Sequence, residues 1–179
     1  MARRSGWQTR RSYSGEVATS GDFSAWTIAI HNREGTPVGP LPTPLNELER
    51  AIAIALDAHA GQRSRSGDPY VLHPLRVMLR LATDDERIAG VLHDVVERSP
   101  EWTLRRLAKD GFSPAIVDAV DALSRRDGEA YGAYIVRVSA NELARRVKIA
   151  DLEDKLESVR MDGRAKRFRT ALSALRTRP

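Results

Sequence analysis

The chain has 179 residues, 41% of them hydrophobic and 30% charged, a size and balance typical of one soluble globular domain with an additional tail. No apolar stretch is long enough to span a bilayer, and no apolar segment follows the N-terminal arginines as in a signal peptide, so we expect a cytoplasmic protein without a membrane partner. Cysteine is absent, which excludes disulfides and thiolate metal sites. Any bound metal must therefore take histidine and carboxylate ligands.

The formal net charge of +5 suits anionic partners such as nucleotides or nucleic acids. Much of the excess lies at the two ends of the chain, in MARRSGWQTRRS and GRAKRFRTALSALRTRP, where basic residues often only keep a surface solvated. The other basic residues are spread along the chain, and aromatic residues for base stacking are few. The composition therefore favours a nucleotide over a nucleic acid, and nothing in it specifies an oligomeric state.

The first 42 residues differ from the rest, because they are rich in Ser, Gly, Thr and Arg and end in the segment TPVGPLP. One short alternating stretch, AWTIAIH, has the pattern of a strand. We interpret residues 1–42 as a flexible tail with at most one hairpin, followed by a domain at 43–179. The alternative is that this segment precedes the true start of the protein.

From Thr43 onward, apolar residues recur at helical spacing, which predicts an all-α fold of seven or eight helices without a further strand. We place the first helix between a cap at Thr43, with Pro44 in its first turn, and Gly61. A polar loop, GQRSRSGDPY, separates it from a second helix that begins near His73 and Pro74.

Capping residues mark the later helices. Thr83 and Glu86 have the spacing of a capping box, and we predict that the helix they open extends through Val96. The remaining predicted helices are a short one over Thr103–Lys109, one from Ser113, one over roughly Glu129–Val138, a long one from a cap at Asn141 to about Val159, and a last one from about Arg164.

A histidine and an aspartate lie side by side in the apolar run of VLHDVVERSP, residues 91–100. Burying such groups without partners costs several kcal/mol, so either both face solvent or the interior holds something that binds them, such as a metal ion. Residues three and four apart on a helix share a face, which places Glu97 on the same side as His93 and Asp94.

Two further residues complete a candidate metal site. Asp151 falls on the same side of the long helix as Val147, where an acid needs a cation to be buried. His73 stands just before a proline at a helix entrance, a good position from which to direct an imidazole inward. With His93 and Asp94 they make a two-His, two-carboxylate set, which suits a divalent ion that keeps open positions for water or a substrate oxygen.

Each of these residues also has an interpretation without a metal. His73 is then an ordinary residue at a helix start, and Asp94 an exposed residue that interrupts the apolar stripe. Asp151 is then the partner of Arg146 or Lys155 on its own helix. Spacing alone does not decide between the two interpretations.

The chain contains three ordered motifs, HAGQRSRSGDPYVLHPLRVM, VLHDVVE and YGAYIVRVSANELARRVKIADLEDKL. Over roughly residues 44–160 they resemble the HD-domain phosphohydrolases of the RelA/SpoT hydrolase type, above all the small stand-alone proteins of that group. The resemblance implies a helical bundle around one divalent metal, typically Mn²⁺. The ligands that it implies are His73 of YVLHP, His93 and Asp94 of LHD, and Asp151 of VKIAD.

The resemblance also implies a reaction, the hydrolytic removal of the 3′-pyrophosphate of the alarmone nucleotides ppGpp and pppGpp by metal-activated water. Glu97 matches the first acid of the family's Glu-Asp pair, which implies a catalytic carboxylate that orients or deprotonates the water. Arg65 and Ser66 match the basic loop that lies over the nucleotide, and are implied contacts to its base or sugar. For Arg65, a solvated loop cation is the alternative.

The chain departs from the family pattern at two positions near the expected cleft. Where the family usually has HDVVED this chain has HDVVER, so Arg98 replaces an acid implicated in hydrolysis. A guanidinium cannot accept a proton, although it can bind a phosphate through two hydrogen bonds. Lys155 stands where the family often has an Asn. These changes leave two hypotheses, an active phosphohydrolase and a regulatory module that binds metal and nucleotide but hydrolyses poorly.

Overall fold

The computed structural model describes residues 30–31, 37–38, 45–158 and 164–177. The chain divides into two compact units, Met1–Pro44 and Leu45–Pro179. In the first unit, two short strands, β1 (Ile30–His31) and β2 (Pro37–Val38), pair in antiparallel fashion. The predicted flexible tail otherwise lies outside the described residues, and the boundary between it and a domain at 43–179 stays a prediction.

In the second unit, the structure describes residues 45–158 and 164–177, which consist of helices and the loops between them. These residues form nine helices, α1 (Glu47–Ala58), α2 (Leu72–Leu79), α3 (Asp84–Leu92), α4 (Val95–Arg98), α5 (Leu104–Lys109), α6 (Pro114–Leu123), α7 (Tyr131–Ser139), α8 (Glu142–Ser158) and α9 (Arg164–Arg176). The all-α prediction is confirmed. Among the residues that the structure describes, no helix has the length and apolar character needed to cross a membrane.

Side-chain caps begin several helices where the sequence predicts them. The Thr83 hydroxyl accepts a hydrogen bond from the backbone N–H of Glu86, and the Glu86 carboxylate accepts one from the N–H of Thr83, which completes the predicted capping box of α3. Ser113 caps α6 and Asn141 caps α8 in the same way, each accepting the N–H three residues on. These caps satisfy N–H groups that have no partner inside the helix.

The start of α1 differs from the prediction, and the proposed cap at Thr43 is wrong. Asn46 caps the helix, since its side chain accepts from the N–H of Glu49 at 2.9 Å and Glu49 accepts from the N–H of Asn46 at 2.8 Å. Asparagine is at least as good a cap as threonine, and a glutamate three residues on completes a capping box. Thr43 and Pro44 lie outside the described residues.

The predicted helix from residue 83 through Val96 is interrupted, so this part of the prediction is wrong. α3 ends at Leu92 and α4 begins at Val95, with His93 and Asp94 between them. Neighbouring residues on an unbroken helix point about 100° apart. The interruption lets two adjacent polar side chains both be buried, and it accounts for a ninth helix where the prediction had at most eight.

The long helix α8 occupies the centre of the helical unit. It packs against α2, α3, α6, α7 and α9, and apolar side chains from these helices form one core cluster around it. Val147, Asp151 and Leu152 on α8 have no exposed surface. One helix therefore carries a carboxylate into the middle of an apolar core.

Glu86 connects the start of α3 to α8. Its carboxylate accepts backbone N–H groups of Ala82 and Thr83 at 3.0 and 3.1 Å and a side-chain N–H of Arg146 at 3.0 Å. Burial opposes ionisation of Glu86, but the two backbone hydrogen bonds and the guanidinium outweigh it, and the pKa is lowered from its usual 4.5. The ionised carboxylate therefore stabilises the fold.

We expect Glu86→Gln to lower the free energy of unfolding by about 1–2 kcal/mol, because the variant loses a charge-assisted interaction at a buried position. The lowered folded-state pKa means that this stabilisation is complete above the ordinary carboxyl pKa and is lost as the pH falls through the folded-state value. The difference between wild type and variant in urea unfolding should thus shrink below about pH 4.

Glu142→Gln is the matched control, since Glu142 binds the same Arg146 from an exposed position. An exposed pair contributes little, so this variant should change stability by less than about 0.5 kcal/mol. Equal effects of the two substitutions would contradict the role given to Glu86.

Candidate metal centre

His73 enters the centre from the first turn of α2. Proline is tolerated in a first turn, so Pro74 allows the helix to begin at Leu72 and to bury His73. The His73 Nδ1 lies 2.8 Å from Asp154 Oδ2, an acceptor, so Nδ1 carries the hydrogen and Nε2 presents its lone pair. Nε2 lies 3.1 Å from Oδ1 of Asp151.

His93 enters from the interruption between α3 and α4 with the same orientation. Its Nδ1 donates to the backbone carbonyl of Gly90 at 2.7 Å, which in the neutral ring leaves the lone pair on Nε2. That Nε2 lies 3.4 Å from Asp94 Oδ2 and 3.6 Å from Asp151 Oδ1. Hydrogen bonds behind both rings thus direct two Nε2 atoms toward one point, the usual arrangement of metal-binding histidines.

The four predicted ligands come together in the core. The ligand atoms of His73, His93 and Asp94 all lie within 4.8 Å of one another, and Asp151 Oδ1 lies close to both imidazoles. All four residues are buried, which excludes the exposed position considered for Asp94. Four buried atoms of this cluster, both Nε2 atoms and both oxygens of Asp151, have no hydrogen-bond partner within residues 45–158 and 164–177.

This donor set fits a divalent cation. Buried acceptors without hydrogen bonds are costly, and a metal ion satisfies several of them at once. Burial would raise the pKa of each aspartate, but His93 holds the pKa of Asp94, and Lys148 that of Asp151, well below the ordinary value. Both carboxylates are therefore ionised and available as ligands.

The pKa of His93 is shifted in the opposite direction. Burial lowers it, but the neighbouring carboxylates of Asp94 and Asp151 more than offset this and raise the pKa to about 10. A metal that binds here must therefore displace a proton from the ring, which makes its affinity depend on pH.

Two lysines accompany Asp151, one on each oxygen. Lys155 Nζ lies 2.7 Å from Oδ1 and Lys148 Nζ lies 2.8 Å from Oδ2. Both contacts are ion pairs, and neither Asp151 oxygen has a hydrogen-bond partner among the described residues. The pairing with Lys155 that the sequence left open is therefore present together with the His–Asp cluster, whereas Arg146 pairs with glutamates instead.

Glu97 does not join this cluster. It is exposed, and its carboxylate accepts a hydrogen bond from the backbone N–H of Arg125. The expectation that Glu97 shares a face with His93 assumed an unbroken helix, and the interruption at His93 and Asp94 removes that relation. The catalytic role of Glu97 stays a prediction.

A cavity of about 570 Å³ borders the cluster at His73 and is strongly basic. Asp68 and Asp154 are the acids among its lining residues, and Asp154 is held by Arg76. Six cationic side chains line it, those of Arg63, Arg65, Arg76, Arg98, Lys155 and Arg164. The volume lies in the range of small-ligand sites, and the charge suits a polyanion.

The loop between α1 and α2 forms one wall of this cavity and includes the predicted contacts Arg65 and Ser66. Its tip closes on itself through the Ser64 N–H, which donates to Asp68 O at 2.8 Å, and through Gly67, whose φ of +92° favours glycine. The base of the loop is fixed by Gln62, which donates to the backbone carbonyl of Arg98.

Tyr70, at the end of the loop, connects the cavity to the metal ligands. Its hydroxyl donates to Asp94 Oδ2. The Cζ atom of Arg98 lies 3.7 Å from the centroid of the Tyr70 ring, in a cation–π contact. Arg98 Nε also lies 3.7 Å from Asp94 Oδ2. Arg98, which replaces a family acid, thus lies within the cavity beside a predicted ligand.

Sequence reasoning missed several residues of the centre, including Tyr70 and the buried Lys148. It also missed Asp154, although this residue falls three positions after Asp151 on the same helical face, a signal that was available. The partner of Asp154, Arg76, lies 78 residues away and binds it through Nε at 2.7 Å and Nη2 at 3.0 Å. Burial would raise the pKa of Asp154, but its hydrogen bonds with His73 and Arg76 lower this pKa to about 2.

A helical domain with two buried histidines and two buried aspartates around one point belongs to the class of divalent-metal-binding α domains. The family model described as HD domain matches residues 51–175. The chain belongs to the HD-domain family, whose members bind divalent metals at a His/Asp cluster of this kind.

Curated relatives contain this region as a small part of longer chains. The chain is similar to a GTP pyrophosphokinase of Streptomyces coelicolor, with 37% identity over 126 residues that cover 65% of this chain and 15% of the relative. It is also similar to a guanosine-3′,5′-bis(diphosphate) 3′-pyrophosphohydrolase of Haemophilus influenzae, with 41% identity over 78 residues that cover 41% of this chain and 11% of the relative. The matched region thus spans less than a fifth of either relative.

A solved structure supports the fold. It is described as a metazoan ortholog of SpoT that hydrolyses ppGpp and plays a role in starvation responses. The TM-score is 0.63 at 19% identity, and the match covers 76% of this chain and 89% of that one. At this identity the likeness establishes a shared helical fold.

We expect Asp154→Ala to weaken Mn²⁺ binding, measured by titration calorimetry, by about 10- to 100-fold. The reason is that His73 Nδ1 loses the acceptor that orients the ring, and partners behind metal-binding histidines typically contribute this much. Asp154→Asn should retain more affinity, since its carbonyl oxygen can still accept from Nδ1.

Glu157→Gln provides a control on the same helix. Glu157 also binds an arginine at the end of α2, Arg80, but from an exposed position without contact to a histidine. The Mn²⁺ affinity of Glu157→Gln should equal that of wild type. Asp151→Ala lacks a proposed ligand and should bind no Mn²⁺. Wild-type affinity in Asp154→Ala would refute the orienting role.

Proposed function

We propose that the protein is a metal-dependent phosphohydrolase that removes the 3′-pyrophosphate of ppGpp, pppGpp or a closely related nucleotide. One observation carries the proposal: the buried His–Asp cluster borders, at His73, a cavity lined by six cationic side chains. The cluster suits a divalent ion, and the cavity suits a ligand with several phosphates. The name of the Haemophilus influenzae relative and the description of the solved structure support hydrolysis over a module that only binds.

The metal would be held by His73, His93, Asp94 and Asp151. When bound, such an ion lowers the pKa of a water molecule and polarises a phosphoryl oxygen. We propose Mn²⁺, because a histidine and carboxylate set without thiolates suits it. The proteins of the resembled family also typically use this ion. A cytoplasmic location likewise remains our expectation from the sequence.

The cationic wall would bind and orient the polyphosphate. Guanidinium groups form paired hydrogen bonds to phosphate oxygens, so Arg98, which lies beside Asp94, is well suited to hold the 3′-diphosphate near the proposed ligands. In the reaction, the oxygen of water forms a bond to the phosphorus attached to the ribose 3′-oxygen. The bond from that phosphorus to the 3′-oxygen breaks, and the 3′-oxygen takes a proton. The products are pyrophosphate and GDP from ppGpp, or pyrophosphate and GTP from pppGpp.

Glu97 remains our candidate for the carboxylate that orients or deprotonates the water. In this structure its Oε1 accepts a hydrogen bond from the backbone N–H of Arg125, which leaves Oε2 to accept from the water. Ser66 and Arg65 remain candidates for contacts to base or sugar, since both line the cavity.

Incubation of purified protein with Mn²⁺ and ppGpp should release GDP and pyrophosphate in equal amounts, measured by anion-exchange chromatography. His93→Ala removes a proposed ligand and should reduce the rate by at least about 1,000-fold. Release no faster than in this variant would reject the proposal for ppGpp. Assaying pppGpp in parallel would test whether an additional phosphate changes kcat/KM.

The position of Arg98 leads to a separate prediction that tests the binding-module alternative. If Arg98 binds substrate phosphate in an active enzyme, Arg98→Asp should lower kcat/KM for ppGpp by at least about tenfold, chiefly through a higher KM. Arg105→Asp, a charge reversal on α5 away from the cavity lining, should have little effect. Activity that appears only in Arg98→Asp would instead favour a module that lost hydrolysis with its acid.

A further inference from the structure

Lys155 contacts the ligand oxygen that faces both imidazoles. Its Nζ lies 2.7 Å from Asp151 Oδ1, and the same oxygen lies 3.1 Å from His73 Nε2 and 3.6 Å from His93 Nε2. The other lysine, Lys148, is on the opposite oxygen, Oδ2, at 2.8 Å. Of the two ammonium groups, that of Lys155 therefore lies on the side of the carboxylate where a metal would bind.

The same side chain also belongs to the substrate cavity. Lys155 lines the cavity and its side chain is 31% exposed, whereas Lys148 is almost fully buried and is not among the lining residues. A lysine side chain is a flexible four-carbon stem with three rotatable N–H donors. Lys155 can therefore exchange a carboxylate partner for a phosphate partner by rotating about its own bonds.

We propose that Lys155 is a tethered cation shared between the metal centre and the cavity. Without metal, it neutralises Asp151 Oδ1. It competes with the divalent ion for this oxygen, and after displacement it binds a substrate phosphate. We call the competition for Asp151 Oδ1 the metal half of this proposal and the binding of a substrate phosphate its phosphate half. The phosphate half rests on the proposed function, while the metal half does not.

Electrostatics makes the two occupants of the oxygen mutually exclusive. A carboxylate oxygen with an ammonium group at 2.7 Å is already paired, and a second cation on it would repel the first across a few ångströms of protein interior. The metal must therefore displace Lys155, which lowers the apparent metal affinity. Removal of the charge at position 155 should raise it.

The test is titration of chelator-treated protein with MnCl₂ alone. Lys155→Met keeps much of the stem and removes the charge, so we expect Mn²⁺ to bind about tenfold more tightly than to wild type. Arg63→Met removes a positive charge from the cavity wall at a residue whose guanidinium donates to Gly67 O. It should change the Mn²⁺ affinity by less than about twofold.

Lys155→Gln should behave like Lys155→Met, and it replaces that variant if the methionine protein fails to fold. Thermal unfolding gives a second readout, because added Mn²⁺ should raise the Tm of either variant more than that of wild type. The metal half would be overturned if Lys155→Met bound Mn²⁺ no more tightly than wild type, or if Arg63→Met gained as much Mn²⁺ affinity as Lys155→Met. Failure of every protein to bind Mn²⁺ would overturn it as well.

The phosphate half is tested with pyrophosphate as the probe on Mn²⁺-saturated protein. Lys155→Met should bind it about tenfold more weakly than wild type, and equal binding would overturn this half. None of these measurements uses turnover. A protein that fails to hydrolyse ppGpp but gains Mn²⁺ affinity in Lys155→Met would contradict the proposed function and support the inference about Lys155.

Discussion

The centre of this protein depends on the burial of Asp151 within an apolar core. A carboxylate in such a place is tolerated only with compensating positive charge, and the surroundings provide it from several directions. Two lysines lie on its oxygens, and two imidazoles direct their Nε2 atoms toward it. Its Oδ1 faces both imidazoles and is the oxygen for which we propose that a metal ion competes with Lys155. Helix α2, the end of α3 and helix α8 place His73, His93 and Asp151, respectively, at this centre.

Helix α8 provides four polar side chains of this centre, and they share one face of the helix. Asp151 is a proposed ligand, the carboxylate of Asp154 accepts a hydrogen bond from the histidine of α2, and the lysines at 148 and 155 balance charge. The other three residues lie three or four positions from Asp151, so all four fall on one face of the helix. The face toward the centre is therefore polar in the middle of a helix that is otherwise packed in a core. Helix α8 thus contributes both to the core packing and to the polar centre, which the side chains of His73, His93 and Asp94 complete.

Much of this centre could be predicted from the sequence because its signals are local. The helix caps follow from single residues and their spacing, and Asp151 stood out as an acid on an apolar face. The interruption at His93 and Asp94 could not be predicted, since Val95 and Val96 continue the apolar spacing of α3 and no glycine or proline marks the end. The sequence therefore predicts Glu97 on the same side as His93, whereas the structure places it outside the cluster and exposed. The contact of Asp154 with Arg76 spans 78 residues of sequence, so only the tertiary fold discloses it.

The loop between α1 and α2 is held at its base and closed on itself at its tip. Gln62 and Tyr70 attach the base to the helical unit, whereas Ser64, Gly67 and Asp68 are satisfied within the tip. Movement of the tip therefore breaks no bond to a metal ligand. The cavity proposed for the nucleotide can therefore change shape at this tip while the buried side chains proposed to hold the ion stay in place.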